Sequence, residues 1–324
     1  MRAFVLEKYG TPLKEVSMPQ QSPGPGQVLV RMVAAGVNHA DERSRAGEFK
    51  LLFHPQLPCV AGGELSGEVV ALGGGVTGFA VGDAVMAYTG VEAQGAFGEF
   101  VVVDASALAH APKTVPLVEA ASLPLVGLTA WQALVTIGRV QPGQRVLVHG
   151  GSGGVGSVTI QLAKHLGATV ITTASKVNAG FVRELGADEV IDYRDEDFVQ
   201  RLAEDPVDLV LDTQGGKITD ESLKVVRPGG LVVGIAGTPD PSLAEQARAG
   251  SLKVEDIKGS STYAAVADSF GIELERLYRE VGVDAGKVPP ESMLKDTAKL
   301  AGLPGFETDL VRQAVARILG IPYT

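Results

Sequence analysis

The chain has 324 residues, enough for about two domains at the usual ~150 residues each. It carries 28 Lys and Arg against 38 Asp and Glu, and the resulting formal net charge of −10 is repelled by nucleic-acid backbones. Aromatic residues make up 5% of the chain, too few for a base-stacking surface, and a hydrophobic content of 45% excludes wholesale disorder. We therefore expect a globular protein with no nucleic-acid partner.

The cysteine content and the length of the apolar runs limit the cellular compartments and the kinds of site that are expected for this chain. Cys59 is the only cysteine, which excludes an intrachain disulfide and a cysteine-based zinc site. The first residues, MRAFVLEKYG, lack the apolar core of a signal peptide. Runs such as LVVGIAG are too short to span a bilayer. We expect a cytoplasmic protein with no membrane partner.

The first third of the chain has the pattern of β-structure. Short apolar segments are separated by Gly- and Pro-rich clusters such as SPGPGQ and GGGVTG, and no long amphipathic helix interrupts them. This pattern predicts a barrel-like unit. From about Pro116 the sequence becomes long, apolar and helical, so we place the first domain at residues 1–120. Trp131, on this apolar helix, is expected to be a core residue.

Strands and helices alternate from Gln144 onward. The predicted strands are RVLVHG, TVITTA, EVIDY, VDLVLDT and, after the turn RPGG, LVVGIAG. Gly167 closes the first helix of this region, where glycine suits a left-handed C-terminal cap. His149, at the end of the first strand, is expected to be a packing residue and not a catalytic one. Five strands alternating with helices predict an α/β fold with a parallel, doubly wound sheet over residues 121–250.

The alternation stops after about Gly250. Two helices, TYAAVADSF and IELERLYREVGV, are separated by Gly271, and a third ends the chain. Apolar residues recur at helical spacing in the second and third of these helices: Leu274, Leu277, Tyr278 and Val281, then Val311, Ala314, Val315 and Ile318. Residues 251–324 are therefore predicted to form a small, all-helical C-terminal tail.

A glycine-rich turn follows the first predicted strand of the parallel sheet and opens the next helix. It matches G-x-G-x-x-G with Gly151, Ser152, Gly153, Gly154, Val155 and Gly156. The glycines allow a tight turn, close approach of a pyrophosphate and close helix packing, while the helix N-terminus offers N–H donors to the anion. The alternative is a tight strand-to-helix turn without a ligand. The context favours dinucleotide binding.

The end of the second strand bears on which dinucleotide binds. An NAD site usually places Asp or Glu about 20 residues after the glycines, to accept from the ribose 2′-OH. Here Ser175 and Lys176 occupy that place, and a lysine attracts a 2′-phosphate. Tyr193 and Arg194, just past the third strand, are expected on the same rim of the sheet. We therefore predict NADPH; an ordinary solvated role for Lys176 is the alternative.

With these residues in view, the chain resembles a known family. The stretch VLVHGGSGGVGSVTIQLAKHLGATVITTAS, together with GVNHAD, LPCVAGGELSGEVVALG and LPLVGLTAWQAL, is similar to the zinc-free quinone oxidoreductases of the zeta-crystallin type. These belong to the medium-chain dehydrogenase/reductase superfamily. The resemblance covers residues 1–240. It implies a GroES-like catalytic domain followed by a Rossmann domain that binds NADPH, with the active site in the cleft between them.

The resemblance also implies site residues. Asn38 and Asp41 line the catalytic cleft, Thr129 lies near the nicotinamide, and Gly234 passes beside it. Lys176 and Tyr193 match positions that hold the 2′-phosphate. Zinc-containing relatives have Cys in place of Asn38 and Gly-His-Glu in place of Gly62-Gly63-Glu64, so no metal is expected.

The chain departs from the family at two places. Relatives often carry tyrosines where this chain has Arg43 and Phe49, so a hydroxyl donor is missing at both. The family's C-terminal return to the catalytic domain is not recognisable after about Gly250. The first departure favours a quinone over an α,β-unsaturated carbonyl as hydride acceptor. The second leaves an alternative: a catalytically silent nucleotide-binding or interaction protein whose tail docks a protein partner. Relatives are often homodimers.

Overall fold

The chain divides into two compact units. The computed structural model describes residues 1–50, 56–90, 95–237, 262–270, 272–301, 303 and 306–319. The first unit spans Met1–Thr129 and the second Ala130–Thr324. Residue 271 and residues 251–261 of the predicted tail lie outside the described residues. No helix in the described part of the chain is long and apolar enough to cross a membrane.

The first unit is built from antiparallel sheets, as its pattern of short apolar segments predicts. Its strands are β1 (Arg2–Leu6), β2 (Lys14–Ser17), β3 (Gln27–Gly36), β4 (Cys59–Val60), β5 (Glu64–Leu72), β6 (Ala84–Tyr88), β7 (Phe100–Asp104) and β8 (Leu108–His110). They form a three-stranded sheet in the order β2-β1-β4 and a five-stranded sheet in the order β7-β3-β5-β6-β8. Alternate residues of the larger sheet, such as Val28, Val30, Leu65 and Val85, point into a common core.

Short helices connect and follow these strands. They are α1 (His39–Ala46), α2 (Leu117–Ala120) and α3 (Pro124–Trp131), and a π-helix (Gln132–Ile137) continues α3. The prediction that Trp131 is a core residue is wrong, because 53% of its surface is exposed. The segment buries its small and aliphatic residues Ala130, Ala133 and Leu134 instead. The prediction rested on the apolar character of this helix, which does not say which of its faces is buried.

The second unit contains the predicted parallel sheet. Its strands are β9 (Arg145–Val148), β10 (Thr169–Ala174), β11 (Glu189–Asp192), β12 (Val207–Asp212) and β13 (Val226–Gly234), in the order β11-β10-β9-β12-β13. The connecting helices are α4 (Gly154–His165), α5 (Ala179–Glu184), α6 (Phe198–Arg201) and α7 (Lys217–Ser222).

Both faces of this sheet are covered. Val146 and Val148 pack in one core with Ile160 of α4, whereas Leu147 packs in a second core with Phe198 of α6. Alternate residues of one strand thus serve opposite helical layers, which confirms the doubly wound α/β prediction.

The predicted turn RPGG is part of β13. Val207 pairs with Val226, and the next pair is Leu209 with Leu231, so β13 carries extra residues as a bulge. Gly229 within the bulge has a φ of +78°. The prediction of a turn before the last strand is therefore wrong, because the strand Val226–Gly234 continues through RPGG.

The described part of the tail is helical, as predicted. Its helices are α8 (Tyr263–Phe270), α9 (Leu274–Val281), α10 (Thr297–Ala301) and α11 (Thr308–Leu319). Leu277 and Tyr278 of α9 share a core with Val311, Ala314 and Val315 of α11. The helical spacing of apolar residues therefore corresponds to buried faces in both helices.

Candidate active site

The glycine-rich turn lies between β9 and α4 and leaves no space for a Cβ atom at Gly151 or Gly156. A Cβ atom on Gly151 would lie 2.0 Å from Thr172 Oγ1, and one on Gly156 would lie 2.2 Å from the carbonyl oxygen of Gly150. The backbone N–H of Ser157 donates to the carbonyl oxygen of Gly153 at 2.9 Å and makes the first bond of the helix. The N–H groups of residues 154–156 therefore open α4 without partners inside the helix. This turn fits a pyrophosphate, which binds such N–H groups and the positive end of the helix dipole.

The second strand ends where the residues predicted for a 2′-phosphate lie. Ser175 is buried, Lys176 is exposed, and Tyr193 is 59% exposed. Ala174 pairs with Asp192, so these residues share the carboxyl edge of β10 and β11. The guanidinium of Arg194 lies 5.8 Å from the centre of the Tyr193 ring. The structure thus places Ser175, Lys176, Tyr193 and Arg194 at one edge of the sheet, the rim where Tyr193 and Arg194 are expected.

Two polar residues at this edge were missed by the sequence reasoning. Asp192 places a carboxylate next to Lys176, but its oxygens accept from the backbone N–H groups of Lys176, at 3.0 Å, and Arg194, at 3.1 Å. Asn178 donates through Nδ2 to Ser152 Oγ at 3.1 Å and so ties the glycine turn to the segment after β10. The aspartate could have been suspected from its place at the end of EVID; the asparagine contact depends on the fold.

Gly234 ends β13, where it pairs with Asp212 at the end of β12. It is exposed, and a Cβ atom there would lie 2.9 Å from the carbonyl oxygen of Gly237. Gly234 therefore lies at the carboxyl edge of the same parallel sheet as the glycine turn, the edge where ligands of such sheets bind.

His149, one residue past β9, is a packing residue as predicted. Its ring is 1% exposed, its Nδ1 lies 3.2 Å from Thr173 Oγ1, and its Nε2 lies 3.1 Å from Ser222 Oγ. It also meets Phe198 edge-on at 4.6 Å between ring centres. Burial lowers the pKa of His149 to about 4, so the neutral ring is favoured.

The first unit gathers polar side chains around Asn38, at the start of α1. The backbone N–H of Asn38 donates to Asp41 Oδ2 at 2.7 Å, and Asp41 also accepts from the backbone N–H of Gly63. The side chain of Asn38 donates through Nδ2 to Glu64 Oε2 at 2.8 Å. Asp41 thus anchors the start of α1, while the Asn38 amide is held by a different carboxylate.

Glu64 is the most enclosed member of this group. It is 1% exposed, and its Oε1 accepts from the backbone N–H of Leu125 at 2.6 Å. Burial raises the pKa of Glu64, and the bonds from Asn38 and Leu125 partly offset that rise. Burial likewise raises the pKa of Asp41, and that of the Tyr88 phenol. The two carboxylates raise the pKa of Tyr88 further, which places this phenol within their electrostatic reach.

Thr129 connects to the same group through α3. Its hydroxyl donates to the carbonyl oxygen of Leu125 at 2.8 Å. Leu125 therefore bonds to Glu64 through its N–H and to Thr129 through its carbonyl. The three residues predicted as catalytic, Asn38, Asp41 and Thr129, are brought together within the first unit, through Glu64 and Leu125.

Glu64, Tyr88 and Leu125 were not singled out as site residues from the sequence. Glu64 pairs with Tyr88 across β5 and β6, and this antiparallel register is what brings the phenol to the group. At positions 43 and 49, where relatives often carry tyrosines, the guanidinium of Arg43 lies 4.9 Å from the centre of the Phe49 ring. The adjacent Gly-Gly-Glu sequence was the available signal for Glu64.

The turn before Glu64 leaves no space for a histidine ligand. A Cβ atom on Gly63 would lie 2.9 Å from the carbonyl oxygen of Gly90 and 3.2 Å from Tyr88 Cε2. Gly62 has a φ of +85°, and a Cβ atom there would lie 2.3 Å from Phe97 Cδ1. Within the described ranges, no three His, Cys, Asp or Glu side chains are grouped closely enough to hold a metal ion.

Comparison with known proteins places both units in one family. The profile "Alcohol dehydrogenase GroES-like domain" matches residues 24–113, and the profile "Zinc-binding dehydrogenase" matches residues 154–276. The chloroplastic NADPH-dependent alkenal/one oxidoreductase of Arabidopsis thaliana is 37% identical over 286 residues, which cover 81% of this chain and 71% of that protein. The chain belongs to the medium-chain dehydrogenase/reductase superfamily. The resemblance deduced from its motifs is thereby confirmed.

Proteins with regions similar to this chain differ widely in size. The quinone oxidoreductase of Coxiella burnetii has a solved structure that superposes with a TM-score of 0.69 at 35% identity, covering 78% of this chain and 80% of that one. The polyketide synthase GfsB of Streptomyces halstedii is 40% identical over 215 residues. The match covers 66% of this chain but 4% of the synthase. A sequence similar to this chain therefore occurs both in proteins of comparable length and within a much longer one.

Proposed function

We propose that the chain is an NADPH-dependent reductase that transfers hydride to a quinone or an α,β-unsaturated carbonyl without zinc. The observation that carries this proposal is the tightly packed glycine turn at 150–156, followed one strand later by Ser175 and Lys176. Relatives named for NADPH-dependent alkenal/one reduction and for quinone reduction support the same chemistry. The catalytically silent alternative is not favoured, because these relatives match most of the chain.

The chain's own residues suit NADPH. The N–H groups at the start of α4 would hold the pyrophosphate, and Lys176, Tyr193 and Ser175 would hold the 2′-phosphate. We assign Gly234 to a backbone contact beside the nicotinamide. When bound, NADPH supplies the hydride, and the protein contributes binding, orientation and hydrogen-bond donors.

Reduction of a carbonyl acceptor places negative charge on an oxygen, which needs a donor when no metal is present. We assign this role to Asn38, whose amide carries two Nδ2–H groups, one of them used by Glu64. Thr129 is assigned to orienting the cofactor and Asp41 to holding the loop that carries Asn38. The closed packing around Gly63 supports a zinc-independent reaction, since the histidine ligand of zinc-containing relatives has no room there.

The test is oxidation of NADPH, followed at its own absorbance, with a simple benzoquinone and with an enone such as methyl vinyl ketone. We expect turnover with NADPH, weak turnover with NADH, and no change after dialysis against 1,10-phenanthroline. Loss of activity in the chelator that zinc restores would contradict the zinc-free part of the proposal. Preference for NADH would contradict the assignment of Lys176.

The remaining assignments concern organisation. We propose a catalytic domain at residues 1–120, a nucleotide-binding domain at 121–250 and a helical module at 251–324, in a cytoplasmic homodimer whose tail takes a protein partner. The tail's own core of α9 and α11 residues supports its treatment as a module. Sedimentation of the full chain, with and without a tail deletion, tests the dimer.

A further inference from the structure

This inference rests on the proposed function and concerns Glu64. Its carboxylate lies on β5, is 1% exposed, and uses each oxygen for a different partner. Oε2 accepts from Asn38 Nδ2 at 2.8 Å, and Oε1 accepts from the backbone N–H of Leu125 at 2.6 Å. One buried carboxylate therefore joins the loop before α1 to the first turn of α3, 26 and 61 residues away in the chain.

The same contacts reach Thr129. Leu125 donates its N–H to Glu64 and accepts from the Thr129 hydroxyl at 2.8 Å. A continuous series of hydrogen bonds thus runs from the Asn38 amide through Glu64 and Leu125 to Thr129. Glu64 thus holds the Asn38 amide directly, and it reaches Thr129 only through Leu125, to whose carbonyl oxygen Thr129 donates.

The chemistry of a carboxylate fixes the direction of these bonds. An ionised glutamate has only acceptors, so it binds the Nδ2 end of the Asn38 amide and turns Oδ1 away. A glutamine of the same shape has one acceptor oxygen and one NH2 donor. Its oxygen can accept from the Leu125 N–H or from Asn38 Nδ2. The remaining one of these two donors then meets the NH2 group of the glutamine, which is also a donor.

We propose that Glu64 is a positioning residue that fixes the orientation of the Asn38 amide and anchors Leu125 in the first turn of α3, the residue to which Thr129 is bonded. Glu64 then acts on hydride transfer through Asn38 and Thr129 and touches neither substrate nor cofactor itself. This role is distinct from metal binding, and it explains why a carboxylate is buried beside a second carboxylate, Asp41, at an energetic cost.

Glu64→Gln tests the proposal, and Glu68→Gln is its matched control. Glu68 lies on the same strand, where it pairs with Arg31 and is 41% exposed. We expect Glu64→Gln to lower kcat at least tenfold while the Kd for NADPH stays within twofold, and Glu68→Gln to change neither. In the protein without cofactor, the side-chain amide resonances of Asn38 should shift in Glu64→Gln and stay in place in Glu68→Gln.

A general loss of stability must be separated from a loss of positioning. Ser66→Ala serves this purpose, because Ser66 is fully buried two residues further along β5 and donates to the carbonyl oxygen of Leu117, away from Asn38. We expect both buried variants to lower Tm, and only Glu64→Gln to lower kcat at a temperature where both are folded.

The outcomes distinguish failure of the positioning role from failure of the reductase assignment. Unchanged kcat in Glu64→Gln, or an equal loss in Ser66→Ala, overturns the positioning role and leaves the reductase assignment standing. A wild-type protein that binds NADPH but reduces no quinone or enone overturns both. Unchanged Asn38 resonances in Glu64→Gln also overturn the positioning role, whatever the activity.

Discussion

Gly156→Ala is the perturbation whose effect follows most directly from the geometry of the glycine turn. The added Cβ would lie 2.2 Å from the carbonyl oxygen of Gly150 and 2.8 Å from the Cα of Gly151, both backbone atoms. Non-bonded heavy atoms stay roughly 3.5 Å apart, so the start of α4 must move by about 1 Å, and no side-chain rotation relieves the contact. We expect a loss of about 1–3 kcal/mol in the free energy of unfolding.

The same displacement moves the N–H groups that would bind the pyrophosphate. We expect the Kd for NADPH to rise at least tenfold, about 1.4 kcal/mol, in a calorimetric titration at fixed ionic strength. Gly180→Ala is the matched control: Gly180 lies in α5, is exposed, and a Cβ atom there would meet nothing within 4 Å. That variant should bind NADPH as the wild type does. Wild-type affinity in Gly156→Ala would refute the assignment of the turn.

Three further variants test other parts of the site. Lys176→Ala should raise the Kd for NADPH about tenfold at low salt and leave the Kd for NADH unchanged. The reason is that an exposed lysine contributes mainly its charge, which attracts the 2′-phosphate that only NADPH carries. Equal effects on both cofactors would contradict the 2′-phosphate assignment. Asn38→Ala should lower kcat by about 10²-fold, the typical effect of removing one oxyanion donor, and an unchanged kcat would exclude that role. His149 has a pKa of about 4, below its unfolded value of 6.5, so the stability that it confers is complete above pH 6.5 and is lost as the pH falls towards 4. Chemical denaturation from pH 7 to 4 should therefore show a steeper loss of stability in the wild type than in His149→Gln, by up to about 3 kcal/mol; parallel curves would contradict the buried neutral ring.

The parts of the fold that could be predicted are those with a local cause. Val146 and Val148 alternate with Leu147 in a short apolar run, and the glycines at 151–156 follow at once, so strand, turn and helix are all encoded within a dozen residues. The apolar spacing in α9 and α11 is local in the same way. Each of these features follows from neighbouring residues in the sequence.

The hydrogen bonds of Glu64 to Asn38 and Leu125 cannot be predicted from neighbouring residues in the sequence. Its bonds join residues 26 and 61 positions apart, and the phenol of Tyr88 reaches it through the register of two antiparallel strands. A sequence pattern contains no information on which carboxylate will be buried against which amide. Trp131 illustrates the same limit, because the apolar character of a helix does not reveal which of its side chains stays exposed.

The most direct test of the account is a calorimetric titration of the wild-type protein with NADPH and with NADH, repeated on Gly156→Ala. The account predicts one NADPH site per chain, at least tenfold weaker binding of NADH, and a matching loss of NADPH affinity in the variant. Absence of NADPH binding, or binding that Gly156→Ala leaves intact, would contradict it.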